Sequence, residues 1–216
     1  MLLKKIKLKR FNRNLIIILE GLPCSGKTSI AKRLSQNLPA TLIPELLNEK
    51  LKKDKRRINF YINDLIKSSN SYIDNVVIID RYFLSTIAFE EAIKTLKKKK
   101  LITKHNLDSY DFHNFRAKQF YSFVIGRNII RQVDIVFYLK VPAADSIKRQ
   151  HRENKKFFKD KFNIWQDPKF LKEFQRFCLK NLKKYYSVSP IIINGRLTFD
   201  KIYAIVLNRL RQFGIM

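Results

Sequence analysis

The sequence predicts an α/β domain of three layers, with a five-stranded parallel sheet held between two sets of helices. Two patterns carry this expectation. Five apolar runs, Leu15–Leu19, Thr41–Ile43, Val76–Ile79, Ile135–Val141 and Ile191–Ile193, are short, mostly β-branched and continuous rather than alternating. Strands covered on both faces of a parallel sheet read this way. Between the runs lie segments with apolar residues three and four apart, and strand alternating with helix marks a layered α/β chain. A chain of 216 residues that is 45% hydrophobic is enough for one domain, able to bury roughly 70% of its unfolded surface.

The first run follows a basic lead-in of Lys4, Lys5, Lys7, Lys9, Arg10 and Arg13. It stops at Glu20-Gly21, too short for a signal-peptide core of about 7–15 residues or a membrane span of about 20. It is therefore expected to be a buried strand, and no other segment is long enough to cross a bilayer. A helix is expected after Gly26 through Leu38, with Ile30, Ala31 and Leu34 on one side. Another covers Ser85–Leu96, with Ile87, Ala88, Ala92 and Ile93. Arg152–Trp165 is lysine-rich and without period, and reads as a mobile loop. Asp167-Pro168 is an N-cap followed by proline at the first helical position, and Phe170, Leu171, Phe174, Phe177, Cys178 and Leu182 then recur at helical spacing. Asp200 or Thr198 caps a last helix through Ile202, Ile205, Val206, Leu210 and Phe213. No repeat or linker divides the chain, so residues 1–216 are expected to form a single domain.

With 45 Lys+Arg against 18 Asp+Glu, the formal charge is +27. Such a balance raises a nucleic-acid partner. The basic residues are nevertheless spread from Lys4 to Arg211, with Lys97–Lys100 the one long run. Lys, Ile, Asn, Phe and Tyr, whose codons are rich in A and T, are all abundant. A background bias accounts for the charge, and nucleic acid is not the expected partner. The two cysteines, Cys24 and Cys178, make no disulfide framework, which suits a reducing, cytoplasmic setting.

The most specific feature is Gly21-Leu22-Pro23-Cys24-Ser25-Gly26-Lys27-Thr28, a full G-x-x-x-x-G-K-[ST] phosphate loop between a strand and a helix. Gly21 and Gly26 allow a close backbone path around β- and γ-phosphates. Lys27 bridges the transferring phosphoryl group, the Thr28 hydroxyl reaches a bound Mg²⁺, and Ser29 extends the cradle into the helix. Cys24 is read as a small residue at a position where the backbone matters, with a redox-sensitive thiol as the other reading.

A second motif ends the third run. Asp80-Arg81-Tyr82 follows Val76–Ile79, and Ser85-Thr86-Ile87-Ala88-Phe89 comes after it. An acid at the end of a strand beside a phosphate loop holds Mg²⁺ directly or through water, and an adjacent arginine grips a phosphate.

Together, the Glu20–Thr28 loop and the Asp80-Arg81-Tyr82-x-x-Ser85-Thr86-x-Ala88-Phe89 stretch resemble the thymidylate kinase family, whose D-R-Y signature differs from the E-R-S of the related deoxynucleoside kinases. Val141-Pro142-Ala143-Ala144 followed by Arg149-x-x-Arg152 is similar to the segment in both families where a lid supplies arginines. The resemblance implies the P-loop kinase fold with a short lid over about residues 149–165, ATP and Mg²⁺ as cofactors, and transfer to a nucleoside monophosphate, dTMP foremost. It also implies catalytic roles for Lys27, Asp80, Arg81, Arg149 and Arg152, and acceptor contacts from Arg81 and Tyr82.

Two departures cut the other way. The acid usual in the thymidylate kinase loop is Pro23 here, and Ile43-Pro44-Glu45 resembles the P-E element of deoxynucleoside kinases, whose glutamate takes the proton of the sugar 5′-hydroxyl. A deoxynucleoside kinase is therefore the alternative, with Glu45 either catalytic or an acid at a helix start. A nucleic-acid-associated NTPase is an alternative of another class, resting on charge alone. Arg116 and Gln119, in the aromatic segment Phe112–Tyr121, are candidates for the acceptor pocket. The expected partner is a small nucleoside or its monophosphate; a homodimer is left open.

Overall fold

A computed structural model describes residues 15–45, 76–101, 133–153 and 164–216. The basic lead-in, residues 46–51, Arg116, Gln119 and most of the anticipated lid lie outside the described residues.

Within them the order is β1 (Leu15–Gly21), α1 (Lys27–Asn37), β2 (Thr41–Ile43), β3 (Val76–Asp80), α2 (Phe83–Lys98), β4 (Ile135–Lys140), α3 (Ala143–Arg152), a 3₁₀ turn (Ile164–Gln166), α4 (Pro168–Tyr186), β5 (Ile191–Asn194) and α5 (Phe199–Gln212). The five strands form one sheet in the order β2-β3-β1-β4-β5, every neighbouring pair parallel. This is the three-layer arrangement expected from the strand pattern.

Continuous apolar strands are explained by which face each residue serves. Ile16 and Ile18 of β1, Val77 and Ile79 of β3, and Val136 and Tyr138 of β4 pack with α2 and α4. The intervening Leu15, Ile17, Leu19, Val76, Ile78, Ile135, Phe137 and Leu139 pack with α1 and α5. Strand side chains alternate, so both sets must be apolar when both faces are covered. Phe170, Leu171, Phe174, Cys178 and Leu182 form the buried stripe of α4. Asp167 caps that helix, accepting from the Lys169 and Phe170 amides at 2.7 and 3.3 Å, and Pro168 occupies a position that needs no amide donor. Of the two residues proposed to cap α5, Thr198 is the cap, its hydroxyl accepting from Lys201 at 3.5 Å.

Several boundaries differ from the sequence expectation by one to three residues, those at the sheet's carboxyl edge among them. β1 continues through Glu20 and Gly21, β3 includes Asp80, and α2 begins at Phe83. The end of the anticipated loop Arg152–Trp165 is ordered into the 3₁₀ turn. Ile164 is buried there, and the Trp165 ring lies about 5 Å from the rings of Phe89, Phe170 and Phe174, with centroid distances of 5.3, 5.2 and 5.3 Å. Aromatic burial outweighs the lack of helical period. Among the described residues, no helix is long and apolar enough to cross a membrane.

Parallel pairing has one consequence for chemistry. Leu19 stands opposite Asp80 and Gly21 opposite Leu139, so the phosphate loop, the Asp80-Arg81 turn and the residues after β2, β4 and β5 share the carboxyl edge of the sheet. In open α/β sheets that edge is where ligands bind.

Candidate active site

The phosphate loop leaves β1 through Gly21, whose φ of 146° lies outside the range of ordinary side chains. A Cβ there would stand 2.5 Å from the Leu139 carbonyl oxygen, so glycine is required. Cys24 and Gly26 are both left-handed, with φ of 54° and 97°. Gly26 starts α1, and no side chain caps that helix, leaving its first amides free for an anion. Leu22, Pro23 and Ser25 are buried, Cys24 is half-buried, and Thr28 and Ser29 are exposed at the helix start.

Lys27 is 3% exposed and its Nζ donates to the Leu22 carbonyl at 2.9 Å, with Ser25 Oγ at 3.5 Å. Burial, reinforced by repulsion from Arg81, lowers its pKa from 10.5 to about 8; Asp80, Glu45 and Glu20 oppose the fall. The ammonium folds back on its own loop.

Thr28 and Asp80, predicted as a metal pair, are together: Thr28 Oγ1 donates to Asp80 Oδ2 at 2.5 Å. Asp80 is 1% exposed, and its Oδ1 is buried without a hydrogen-bond partner among the described residues. An orphaned buried carboxylate oxygen next to a hydroxyl fits Mg²⁺, which takes few protein ligands and completes its shell with water and phosphate. No cluster of three His, Cys, Asp or Glu competes for a different metal among the described residues.

Arg81 is held in the left-handed region at φ 68°, with its amide donating to the Leu19 carbonyl at 3.0 Å. Its Nε lies 3.0 Å from Glu45 Oε1. The guanidinium carbon stands 5.3 Å from the Trp165 ring centroid and 5.9 Å from that of Phe174. Glu45 and Arg81 are thus brought together, and two aromatic faces wall the arginine in.

The structure also places Tyr82, Arg149 and Arg152. Tyr82 is 2% exposed, its ring edge-on to Phe83 at 4.6 Å and stacked with Tyr186 at 6.4 Å; it belongs to the core rather than to an open acceptor surface. Arg149 is on α3, its Nη2 donating to the Gly195 carbonyl at 2.8 Å and Nη1 to that of Cys24 at 3.4 Å. It thereby ties the phosphate loop to the turn after β5, and Arg196 of that turn pairs with Asp145 at 2.6 Å. Arg152 is exposed at the last residue of α3.

Two features escape the sequence reading. Glu20, fully buried, accepts three hydrogen bonds from distant residues. Ser146 donates to the Pro23 carbonyl at 2.7 Å, and Gln150 Nε2 reaches Ser146 Oγ at 3.3 Å and the Trp165 carbonyl at 3.1 Å. A polar residue on the buried face of a basic helix is the only sequence signal for the second.

The chain has the fold of the P-loop nucleoside and nucleotide kinases. It superposes on a deoxyadenosine kinase from M. mycoides with bound dCTP at a TM-score of 0.62 and 18% identity, over 92% of this chain and 100% of that one. A thymidylate kinase from Candida albicans gives 0.60 at 18%, covering 93% and 92%. The YorR protein from Bacillus subtilis, in complex with phosphorylated GDP, gives 0.55 at 19%, covering 92% and 98%. No protein-family model and no curated protein sequence matches the chain.

Proposed function

We propose that the protein transfers the γ-phosphoryl group of ATP to a small nucleoside-type acceptor, and that the acceptor atom is the 5′-hydroxyl of a deoxynucleoside. The Arg81–Glu45 pair carries the choice. An acceptor phosphate would have to reach an arginine that a carboxylate already occupies, with like charges brought together. A neutral hydroxyl meets no such penalty and needs a base to take its proton.

In this reading Lys27, Gly26 and the first amides of α1 hold the triphosphate. Thr28 and Asp80 would hold Mg²⁺, which when bound neutralises charge on the phosphates. The hydroxyl oxygen attacks the γ-phosphorus, its proton passes to Glu45, and the bond to the bridging oxygen breaks to release ADP. Arg81 meets the charge on the transferring group. Positioning and charge do most of the work, because phosphoryl transfer asks for little covalent help from the protein.

dTMP is the acceptor in a second reading, favoured by the Asp80-Arg81-Tyr82 wording of the motif. Radiolabelled ATP offered with a panel of deoxynucleosides and monophosphates separates them. Label in a nucleoside monophosphate supports the first reading, label in dTDP replaces it with the second, and no transfer to either class overturns both.

A further inference from the structure

Strand alternation sends Glu20 to the same face of β1 as Ile16 and Ile18, into the otherwise apolar layer under α2 and α4. Its side chain is completely buried. A carboxylate in that place is costly to desolvate, and persists only where donors satisfy it; burial raises its pKa even so. Three donors converge. Tyr82 N and Tyr186 Oη reach Oε1 at 3.1 and 2.6 Å, and Ser85 Oγ reaches Oε2 at 2.6 Å.

Those donors surround Arg81, which with Cys24 is one of two left-handed non-glycine residues described in the site. Arg81 is left-handed, a conformation that is strained for a non-glycine residue and survives only where its surroundings over-determine it. Its own amide is bound by the Leu19 carbonyl, and the next amide, that of Tyr82, by Glu20. Two successive N–H groups are thus pinned to the end of β1, one by backbone and one by the carboxylate. An isoleucine at position 20 would continue the apolar face yet leave the Tyr82 amide without an acceptor.

We infer that Glu20 is a positioning residue for phosphoryl transfer: by fixing the Tyr82 amide and the start of α2, it locks Arg81 in the left-handed conformation that sets its guanidinium beside Glu45 and Trp165. The catalytic consequence rests on the proposed role of Arg81 at the transferring group; the positioning itself does not.

The test compares Glu20→Ala with Glu20→Gln in the full chain. Glutamine keeps an oxygen for the Tyr82 amide and an amino group that can donate to the Ser85 hydroxyl, whereas alanine removes both. Glu20→Ala should lower kcat by about 10- to 100-fold, the scale of a misplaced catalytic group, with the ATP KM within about twofold and with Glu20→Gln restoring most of the loss. Wild-type kcat in Glu20→Ala, or equal losses in the two variants, overturns the inference. Glu20→Asp, one methylene short, carries the expectation of the alanine variant if that one does not fold. Trp165 is the chain's single tryptophan and lies against the Arg81 guanidinium, so its emission reads the arginine without any turnover. Glu20→Ala should shift that emission as Arg81→Gln does, and Glu20→Gln should not. An unshifted Glu20→Ala spectrum overturns the positioning; the expected shift in a protein that phosphorylates no acceptor leaves it standing and removes the kinase reading instead.

Discussion

Thr28 and Asp80 meet across the sheet edge: the hydroxyl that opens α1 donates at 2.5 Å to the carboxylate that closes β3. Parallel pairing of β1 with β3, Leu19 opposite Asp80, sets that distance. The bond uses one carboxylate oxygen and leaves Oδ1 buried without a partner among the described residues. Asp80→Asn keeps the shape and removes the charge. It should lower turnover by roughly 10²-fold, within the range for lost metal support, and abolish the rise in melting temperature expected of the wild type on adding Mg²⁺ with ATP. An unchanged Mg²⁺ requirement in Asp80→Asn would remove Asp80 from the metal site.

Lys27 makes stability depend on alkaline pH in a stated direction. Its folded pKa of about 8 lies below the ordinary 10.5, so between those values the unfolded chain binds more protons. Stability attributable to Lys27 therefore rises from about pH 8 to 10.5, and the cost of the buried cation is fully present below pH 8. The gain is a few kcal/mol at most, since each pKa unit is worth about 1.4 kcal/mol. Urea unfolding of wild type and Lys27→Met at pH 7.5 and 10 isolates it from the other basic groups: the difference between the two proteins should move toward the wild type at pH 10. Turnover of the variant should fall by orders of magnitude at either pH, because no other side chain of the loop carries a positive charge to the phosphates.

Much of this architecture is legible in the sequence, for an identifiable reason. Strands covered on both faces cannot hide among polar residues, and a glycine-rich loop between strand and helix has few other uses. The pairings that build the site are less legible. Glu20 finds its partners 62, 65 and 166 residues away, and in the chain it is merely the acid that ends an apolar run. Trp165 follows a lysine-rich stretch without period, so nothing local announces that its ring covers Arg81. Arg149 and Arg152 look alike at three-residue spacing, yet one is bound to two backbone carbonyls and the other is exposed. Sequence spacing shows which residues share an element; it does not show what the neighbouring elements offer them.

Glu45 separates the two acceptor classes. Its carboxylate sits 3.0 Å from Arg81 Nε and is partly open, at 23% side-chain exposure, so an incoming group can reach it. Glu45→Gln preserves size while removing the proton acceptor. With a deoxynucleoside as acceptor, turnover should fall by about 10²-fold or more, the usual worth of a general base. With dTMP it should change little, since the attacking oxygen is already anionic. Measuring kcat for both acceptors in the one variant decides between them, and equal losses would mean that Glu45 serves only to orient Arg81.

Arg149 and Arg152 should respond differently to the same substitution. Arg149 holds the Cys24 and Gly195 carbonyls together, so Arg149→Ala removes a brace between the phosphate loop and the turn after β5. Hydrogen bonds from a charged donor contribute about 1.5–3 kcal/mol, and in a chain of this length each kcal/mol moves the melting temperature by roughly 2–4 °C. Arg149→Ala should therefore melt several degrees lower and bind ATP more weakly, through a loosened loop. Arg152 is exposed at the end of α3, and Arg152→Ala should leave the melt unchanged. A lid role for Arg152 then appears as a lower kcat with the ATP KM little altered. Thermal melts with and without ATP, set beside kcat and KM for both variants, make the comparison. If Arg149→Ala keeps the wild-type melt and loses only kcat, Arg149 acts on the phosphates in the closed state and the carbonyl contacts are a resting position.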